Sequence, residues 1–283
     1  MDKKILLCGN RSFVAKGLYE QLVNADIKVD CFSRGSEVRN GDMVTGNVFD
    51  MTGNQCLDNT YDTVINFIMI KDGTVDENVK YINELVQFCK NRTVKRLIHI
   101  SSIIAYSNKE SYVNEETSIE EKTDKTGYGI IKIETDKYLQ SLKQLPFSIS
   151  FVRPGYVLAV DRENPFMKVL PLGFALIKGN NKSILPIVRR EDIHIAIINM
   201  VKKETIEKVY LFVPSDNKTK YEYLKEKHKY HFIFLPKQLI LGVGKFFISA
   251  GILPKSFFVR LESMFNETRY DSTKTERLLD IKF

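Results

Sequence analysis

The 283-residue sequence is poor in cysteine, and its four cysteines lack the paired spacing that metal sites use. Cys8, Cys31, Cys56 and Cys89 all lie in apolar segments, where reduced thiols pack as small hydrophobic side chains. The cysteine pattern therefore favours a cytoplasmic protein without a metal site.

The sequence also lacks a long uninterrupted apolar run. Its basic N-terminus is followed by an apolar stretch too short for a signal peptide. The most apolar segment, residues 232–253, is interrupted by Lys237, Lys245, Pro236 and three glycines, so it falls short of the ~20 apolar residues of a membrane-spanning helix. We expect a buried helix or a substrate lid there, with peripheral membrane contact as the less favoured alternative.

The net charge of +7 is not gathered into a basic stripe or a nucleic-acid-binding motif. Short basic runs such as residues 90–96 (KNRTVKR) are separated by acidic and apolar sequence. We therefore expect no nucleic-acid partner. A solvated surface with some attraction for anionic small molecules accounts for the excess of lysine.

The first half of the chain alternates between β-rich runs and helical stretches. This alternation predicts an α/β fold of the Rossmann type, a doubly wound parallel sheet with helices on both faces. Residues 1–157 form the predicted dinucleotide-binding domain. The predicted strands are 3–8, 27–33, 43–48, 62–69, 95–102 and 147–154, and the predicted helices are 13–25, 75–91 and 128–142.

Beyond Pro154 the pattern is less regular. We predict a smaller, mostly helical substrate-binding lobe over residues 158–283, with some segments returning to the sheet. A helix is expected over 163–180, ending at Gly179, and another over 190–203, whose acidic first turn suits the helix dipole. Residues 208–214 predict one more strand.

Glycine is scarce in the segment that would bind a dinucleotide, LLCGNRSFVAKGL (residues 6–18). Such a turn normally carries three glycines, for the tight turn, for close approach of the pyrophosphate and for packing of helix on strand. Here Gly9 keeps the first position, while Ser12 and Ala15 occupy the other two. Both replacements are small, and the Ser12 hydroxyl can donate to a phosphate oxygen.

The end of the second strand indicates the cofactor. An acidic residue there binds a ribose hydroxyl, whereas an arginine accommodates the 2′-phosphate of NADP. The strand ends in Ser33 and Arg34, Arg11 lies in the glycine turn, and Asp30 falls in mid-strand. The sequence therefore favours NADP(H), with NAD(H) as the alternative. If both arginines are simply exposed loop cations, this preference disappears.

The clearest chemical signal is YGIIK, residues 128–132. A tyrosine and a lysine four residues apart lie on one helical face, where the ammonium favours the phenolate and lowers the tyrosine pKa. Tyr128 can then exchange a proton with a substrate oxygen during hydride transfer. Ser102, at the end of the fifth predicted strand, can polarise the same oxygen.

Four segments in this order resemble the extended short-chain dehydrogenase/reductases, the NAD(P)-dependent sugar-nucleotide epimerase/dehydratase/reductase group. They are the Gly9 turn with its helix, SSIIAY (101–106), YGIIK (128–132) and VRPGYV (152–157). Two positions depart from the family pattern. Asn47 replaces the usual aspartate beside the adenine, and NFIMI (66–70) is bulkier than the usual small residues.

The resemblance implies three groups of site residues. The catalytic residues are Ser102, Tyr128 and Lys132. The cofactor-binding residues are Gly9, Arg11, Ser12, Phe13, Val14, Ser33, Arg34, Asn47, Val48, Phe67, Lys132 and Pro154. The substrate-binding residues are Ser102, Tyr106, Tyr128 and Arg189.

The favoured activity is reduction of a 4-keto group on a nucleotide-linked sugar of polysaccharide synthesis. The alternatives are a 4-epimerase that holds NAD tightly, a reductase of another ketone, and a non-catalytic NADP-sensing regulator on the same fold. The family also suggests a homodimer formed by helices 76–91 and 128–142.

Overall fold

A computed structural model describes residues 4–119, 125, 127–159, 166–203 and 206–283. The strands are β1 Lys4–Cys8, β2 Lys28–Arg34, β3 Val38–Asn40, β4 Met43–Gly46, β5 Thr63–Asn66, β6 Arg96–Ile100, β7 Tyr112–Val113, β8 Ser148–Pro154, β9 Tyr156–Leu158, β10 Met167–Val169, β11 Phe174–Ile177, β12 Ile187–Arg189, β13 Val209–Phe212, β14 His231–Phe234 and β15 Arg269–Tyr270. The helices are α1 Leu18–Asn24, α2 Val75–Asn91, α3 Gly127–Ser141, α4 Arg190–Lys203, α5 Lys220–Lys227, α6 Lys237–Ser249, α7 Lys255–Ser263 and α8 Thr273–Leu279.

The core of the molecule is an eight-stranded sheet with the order β13-β8-β6-β5-β1-β2-β4-β3. All neighbouring strands are parallel except the edge pair β3–β4. From β1 the chain adds β2 and β4 on one side, and then β5, β6, β8 and β13 on the other side. The point between β1 and β5 is therefore the switch point at which doubly wound sheets bind ligands. The predicted α/β fold class is confirmed.

The sheet is covered on both faces, as its nearly all-apolar strands require. One hydrophobic cluster joins the sheet to α1 and α4, and a second joins it to α2 and α3. The bounds of α2 and α4 agree with the predicted helices 75–91 and 190–203. A capping box between Thr74 and Glu77 marks the start of α2.

Two predicted helices are wrong in part. The helix expected over 13–25 begins only at Leu18, because Gly17 adopts a left-handed conformation (φ 90°) that ends the preceding turns. Residues 167–177 form the antiparallel strands β10 and β11 instead of a helix. Leu172 and Gly173 between them have φ of 59° and 77°, a tight reversal that a helix cannot contain. The start of that predicted helix, 163–165, lies outside the described residues.

The C-terminal part is less uniformly helical than the sequence suggests. It contains α4 to α8, but also a three-stranded sheet of order β10-β11-β14, while β13 joins the edge of the main sheet. The expected buried helix within 232–253 corresponds to α6, in which Gly244 alone is fully buried. Among the described residues, no helix combines the length and the hydrophobicity needed to cross a membrane.

Candidate active site

A cavity of about 400 Å³ lies at the carboxyl ends of β1, β2 and β5. Seven of the residues predicted to bind the cofactor line it: Gly9, Arg11, Ser12, Ser33, Arg34, Val48 and Phe67. The loop after β5, residues 68–72, completes the wall. Residues far apart in sequence therefore meet at the switch point of the sheet, where this fold places a dinucleotide.

Gly9 permits the tight contact between the glycine turn and the loop after β5. Its φ is +83°, and a Cβ atom there would lie 2.9 Å from Ile68 Cγ1 and 3.1 Å from the Ile68 backbone nitrogen. A side chain would both strain the backbone and collide with this loop. The large residues of NFIMI are thus accommodated by the glycine turn packing directly on their backbone.

Two arginines at the cavity have no partner among the described residues. Neither guanidinium of Arg11 and Arg34 makes a hydrogen bond or ion pair with any residue that the structure describes. Asp30, the only carboxylate within β2, is 1% exposed and pairs with Lys4 and Arg39. The tip of β2 therefore offers a cation and no carboxylate to the cavity.

Five predicted cofactor residues lie outside the lining of this cavity: Phe13, Val14, Asn47, Lys132 and Pro154. The Phe13 ring packs under the Arg190 guanidinium at 5.5 Å, and the Val14 carbonyl lies 2.7 Å from His194 Nε2. The Asn47 side chain accepts a hydrogen bond from the Phe49 backbone at 3.0 Å. Phe13 and Val14 therefore contact α4, and the Asn47 side chain stabilises the turn formed by residues 47–49.

Ser102 and Tyr128 meet at the carboxyl end of β6. Ser102 begins a short 3-10 helix, Ile103–Ala105, and its hydroxyl accepts from the Ile104 backbone at 3.3 Å. Tyr128 lies in the first turn of α3, is 44% exposed, and its phenol lies near enough to the Ser102 side chain for that side chain to lower its pKa. The pair presents two hydroxyls from one open surface.

Lys132 lies one helical turn beyond Tyr128 but does not contact its phenol. Its Nζ is 6.0 Å from the Tyr128 ring centre and donates to the Ile100 carbonyl at 2.7 Å. Burial lowers the pKa of Lys132 to about 8. Partial burial raises the pKa of Tyr128, and the nearby Ser102 side chain opposes that rise. The expected lowering of the tyrosine pKa by lysine is therefore wrong for this arrangement, because the ammonium points to the β6 backbone.

A buried polar layer lies beneath these residues. Asp136 is fully buried one turn after Lys132, accepts from the Ser101 hydroxyl at 2.8 Å and pairs with Arg153 at 3.2 Å. His99 Nε2 is 3.7 Å from its other oxygen, and burial lowers the pKa of His99 so that the ring is neutral. Sequence reasoning missed this layer, although the spacing of four between Tyr128, Lys132 and Asp136 places all three on one face of α3.

The remaining predicted residues lie apart from the open surface. Tyr106 is 2% exposed, and its hydroxyl accepts from Arg153 at 2.9 Å, so it has no free surface for a substrate. Pro154 is buried at the end of β8. Arg189 is exposed and makes a two-pronged pair with Asp192 at 2.8 and 3.0 Å. The side-chain hydrogen bonds of Arg189 among the described residues are with Asp192 and do not include Tyr128, so its role in binding substrate stays a prediction.

Comparison with known proteins gives the class. Residues 5–184 match the NAD dependent epimerase/dehydratase family. Because the match covers more than half of the chain, the protein belongs to this family of nicotinamide-dependent enzymes. The sequence comparison with curated proteins found no significant match.

Several solved structures share the fold at low sequence identity. The terminal R domain from the myxalamid PKS-NRPS biosynthetic pathway has a TM-score of 0.72 at 17% identity, covering 98% of this chain and 85% of that one. Human epimerase family protein SDR39U1 (isoform 2) with NADPH scores 0.65 at 15% identity, covering 97% and 93%. UDP-N-acetylglucosamine 4-epimerase from Bacillus cereus scores 0.65 at 16% identity, covering 99% and 93%. These likenesses show the fold alone.

Proposed function

We propose that this chain is an NADPH-dependent reductase that converts the 4-keto group of a nucleotide-linked sugar into a hydroxyl. One observation carries the proposal. The half-exposed Tyr128 phenol lies beside Ser102 at the same edge of the sheet as a cavity lined by a glycine turn and by Arg11 and Arg34, which pair with none of the described residues. Two groups that can hold a carbonyl oxygen thus lie where this fold binds ligands.

The cavity residues fit the adenosine and phosphate parts of the cofactor. The turn at Gly9 leaves the backbone open to a pyrophosphate, and the buried side chains of Val48 and Phe67 offer an apolar surface to the adenine. Arg11 and Arg34 supply fixed positive charge for a 2′-phosphate, which forms strong charge-assisted hydrogen bonds with arginine. In support, the human neighbour with the same fold is described with NADPH.

The chain's residues would carry the proton in this reaction. When bound, NADPH supplies the hydride. Tyr128 donates its phenolic proton to the carbonyl oxygen as the carbon is reduced, so the ketone becomes an alcohol and the tyrosine becomes a phenolate. Ser102 hydrogen-bonds the same oxygen and fixes its position, while the Lys132 ammonium stays bound to the Ile100 carbonyl, 6.0 Å from the Tyr128 ring centre.

The raised pKa of Tyr128 supports the reductive direction. A phenol whose pKa is raised by partial burial is protonated at neutral pH. It therefore starts the cycle as an acid, which is the form that ketone reduction needs. The sugar-nucleotide substrate class has separate support from the family match and from the epimerase with the same fold.

A substrate assay tests the proposal. The purified protein is mixed with NADPH and a UDP-linked 4-keto-6-deoxyhexose, and loss of absorbance at 340 nm is followed together with the sugar product. We expect NADPH to be consumed in equal amount to the alcohol formed. If NADPH is not consumed while UDP-N-acetylglucosamine is epimerised by protein carrying retained NAD, the 4-epimerase replaces the reductase.

A further inference from the structure

The helix α6 presents an apolar stripe to solvent. Leu239, Val243 and Phe246 are 62, 45 and 66% exposed, and their spacing places them on one helical face. Ile252, in the turn that follows, is 63% exposed. Soluble proteins rarely leave such large side chains together in water unless the surface binds something.

The stripe is a fixed surface, because α6 and α7 pack closely on their other side. A Cβ atom at Gly244 would lie 2.7 Å from Leu261 Cδ1, so the two helices approach closely at this position. The Lys245 ammonium lies 5.6 Å from the Phe258 ring centre. The α6–α7 hairpin, residues 237–263, thus uses its inner face for its own packing and leaves the stripe outside.

The same part of the sequence lacks acidic residues, so its scattered lysines and arginines are not balanced by negative charge. Residues 227–261 contain six lysines and arginines and no aspartate or glutamate. This segment therefore supplies six of the seven net positive charges, and the rest of the chain is nearly neutral. An apolar surface within a purely basic segment is typical of helices that lie in the interface of an anionic membrane.

We propose that the α6–α7 hairpin docks on the surface of an anionic lipid bilayer, with Leu239, Val243, Phe246 and Ile252 entering the headgroup boundary. The inference goes beyond the proposed reductase activity. The 13 residues of α6 extend ~20 Å, which is too short to cross a hydrocarbon core of ~30 Å. Docking of a second copy on the same face would bring two purely basic segments together, which charge repulsion opposes.

Vesicle flotation tests the docking. The probes are vesicles of 30% phosphatidylglycerol in phosphatidylcholine, with pure phosphatidylcholine for comparison. We expect the protein to float with the anionic vesicles at low salt and to be released at high salt. The double substitution Leu239→Ser with Phe246→Ser should weaken binding about tenfold, and Lys245→Glu about fivefold or more.

Matched controls separate this surface from general stickiness and charge. Val38→Ser with Ile206→Ser removes equally exposed apolar side chains elsewhere, and Lys90→Glu makes the same charge change on α2. Both control proteins should bind vesicles like the unchanged protein. Failure of the unchanged protein to bind anionic vesicles, or equal losses in the controls, would overturn the proposal.

A further outcome would also overturn it. If sedimentation shows a dimer that Leu239→Ser with Phe246→Ser dissociates, the stripe binds a second copy instead of lipid. NADPH consumption in solution is measured on each variant, and it should be unchanged. Loss of vesicle binding with intact turnover, or the reverse, therefore distinguishes failure of this inference from failure of the proposed activity.

Discussion

Charged side chains are paired at the amino ends of the strands of the central sheet, whereas two arginines at the carboxyl ends have no partner among the described residues. We call these two sides the amino edge and the carboxyl edge of the sheet. At the amino edge, Lys4, Asp30, Arg39 and Asp58 form one ion-pair cluster, with Asp30 buried at its centre. At the carboxyl edge, Arg11 and Arg34 have no ion-pair partner among the described residues. Charges that hold the fold together are paired within the chain. The charges of Arg11 and Arg34 are those that we propose bind the cofactor.

The same contrast holds for two tyrosines. Tyr61 is 2% exposed, and its hydroxyl donates to Asp30 at 2.6 Å. Tyr128 is half-exposed and lies beside Ser102, whose hydroxyl accepts a hydrogen bond from the Ile104 backbone. The Tyr61 phenol belongs to the ion-pair cluster around the buried Asp30, whereas the Tyr128 phenol faces solvent on one side. The four predictions below test whether this difference separates structural from functional residues.

The largest effect is expected at the two tyrosines. Tyr128→Phe removes the proton donor, so turnover should fall by about 1,000-fold while NADPH binding and the melting temperature stay unchanged. Tyr61→Phe should lower the melting temperature and leave turnover per folded molecule intact. Stopped-time NADPH assays and thermal melts measure both. Near-normal turnover in Tyr128→Phe would contradict the proposed acid.

The arginines should show a smaller effect: substitutions at the cavity should weaken cofactor binding, whereas a substitution in the ion-pair cluster should lower stability. Arg11→Ala with Arg34→Ala should weaken NADPH binding about 100-fold and NADH binding only slightly, because two charge-assisted hydrogen bonds to the 2′-phosphate are lost. Arg39→Ala should destabilise the protein without changing the preference between cofactors. Titration calorimetry with both dinucleotides provides the measurement. Equal weakening of NADPH and NADH would count against a 2′-phosphate site.

Asp30→Asn tests the amino edge alone. The substitution should cost about 2 kcal/mol of unfolding free energy, since it leaves Lys4 and Arg39 without their buried partner. Hydrogen bonds from Arg39, Tyr61 and Lys4 outweigh burial and lower the pKa of Asp30. The stabilisation is therefore complete above the unfolded-state pKa of about 3.9 and is lost as pH falls through the lower folded-state pKa. Denaturant melts at pH 7 and pH 3 should show the difference between the two proteins shrinking in acid.

The smallest effect concerns pH and two lysines, Lys132 and Lys220, whose pKa is lowered by burial. Lys132 has a pKa lowered to about 8 by burial, so turnover should decline as pH rises past 8 and the ammonium beside the site loses its charge. Lys220, remote in the C-terminal part, also has a pKa lowered to about 8 by burial. Lys220→Met should keep the decline in the pH–rate profile. Disappearance of the decline in that variant would assign it to the wrong lysine.

Much of the fold could be predicted because local pattern and tertiary packing agree. The helix 75–91 carries its own capping box and one apolar face, and its bounds were predictable from both. The apolar spacing of residues 167–177 predicted a helix wrongly. Exposed apolar side chains of the strands, such as Val169 and Phe174, have the spacing expected of an apolar helical face. The reversal at Leu172–Gly173 gives the true hairpin, and it depends on backbone conformation that spacing does not reveal.

The site divides in the same way. The glycine turn, Ser102 and the Tyr128–Lys132 pair were visible because each is a short local motif. The pairing of Asp136 with Arg153 and His99 was not, since these residues lie on different elements and meet only when α3 packs on the sheet. The direction of the Lys132 ammonium toward Ile100 likewise depends on the three-dimensional neighbourhood.

The contact between His194 and the glycine turn has a consequence for how the protein is made. The His194 side chain is 1% exposed. Its Nε2 lies 2.7 Å from the Val14 carbonyl oxygen, and its Nδ1 lies 3.1 Å from the Gln21 side-chain nitrogen. A chain emerging from the ribosome presents residues 9–17 early, but α4 follows only some 180 residues later. During synthesis, the contact of this turn with His194 therefore forms only after α4 has been made.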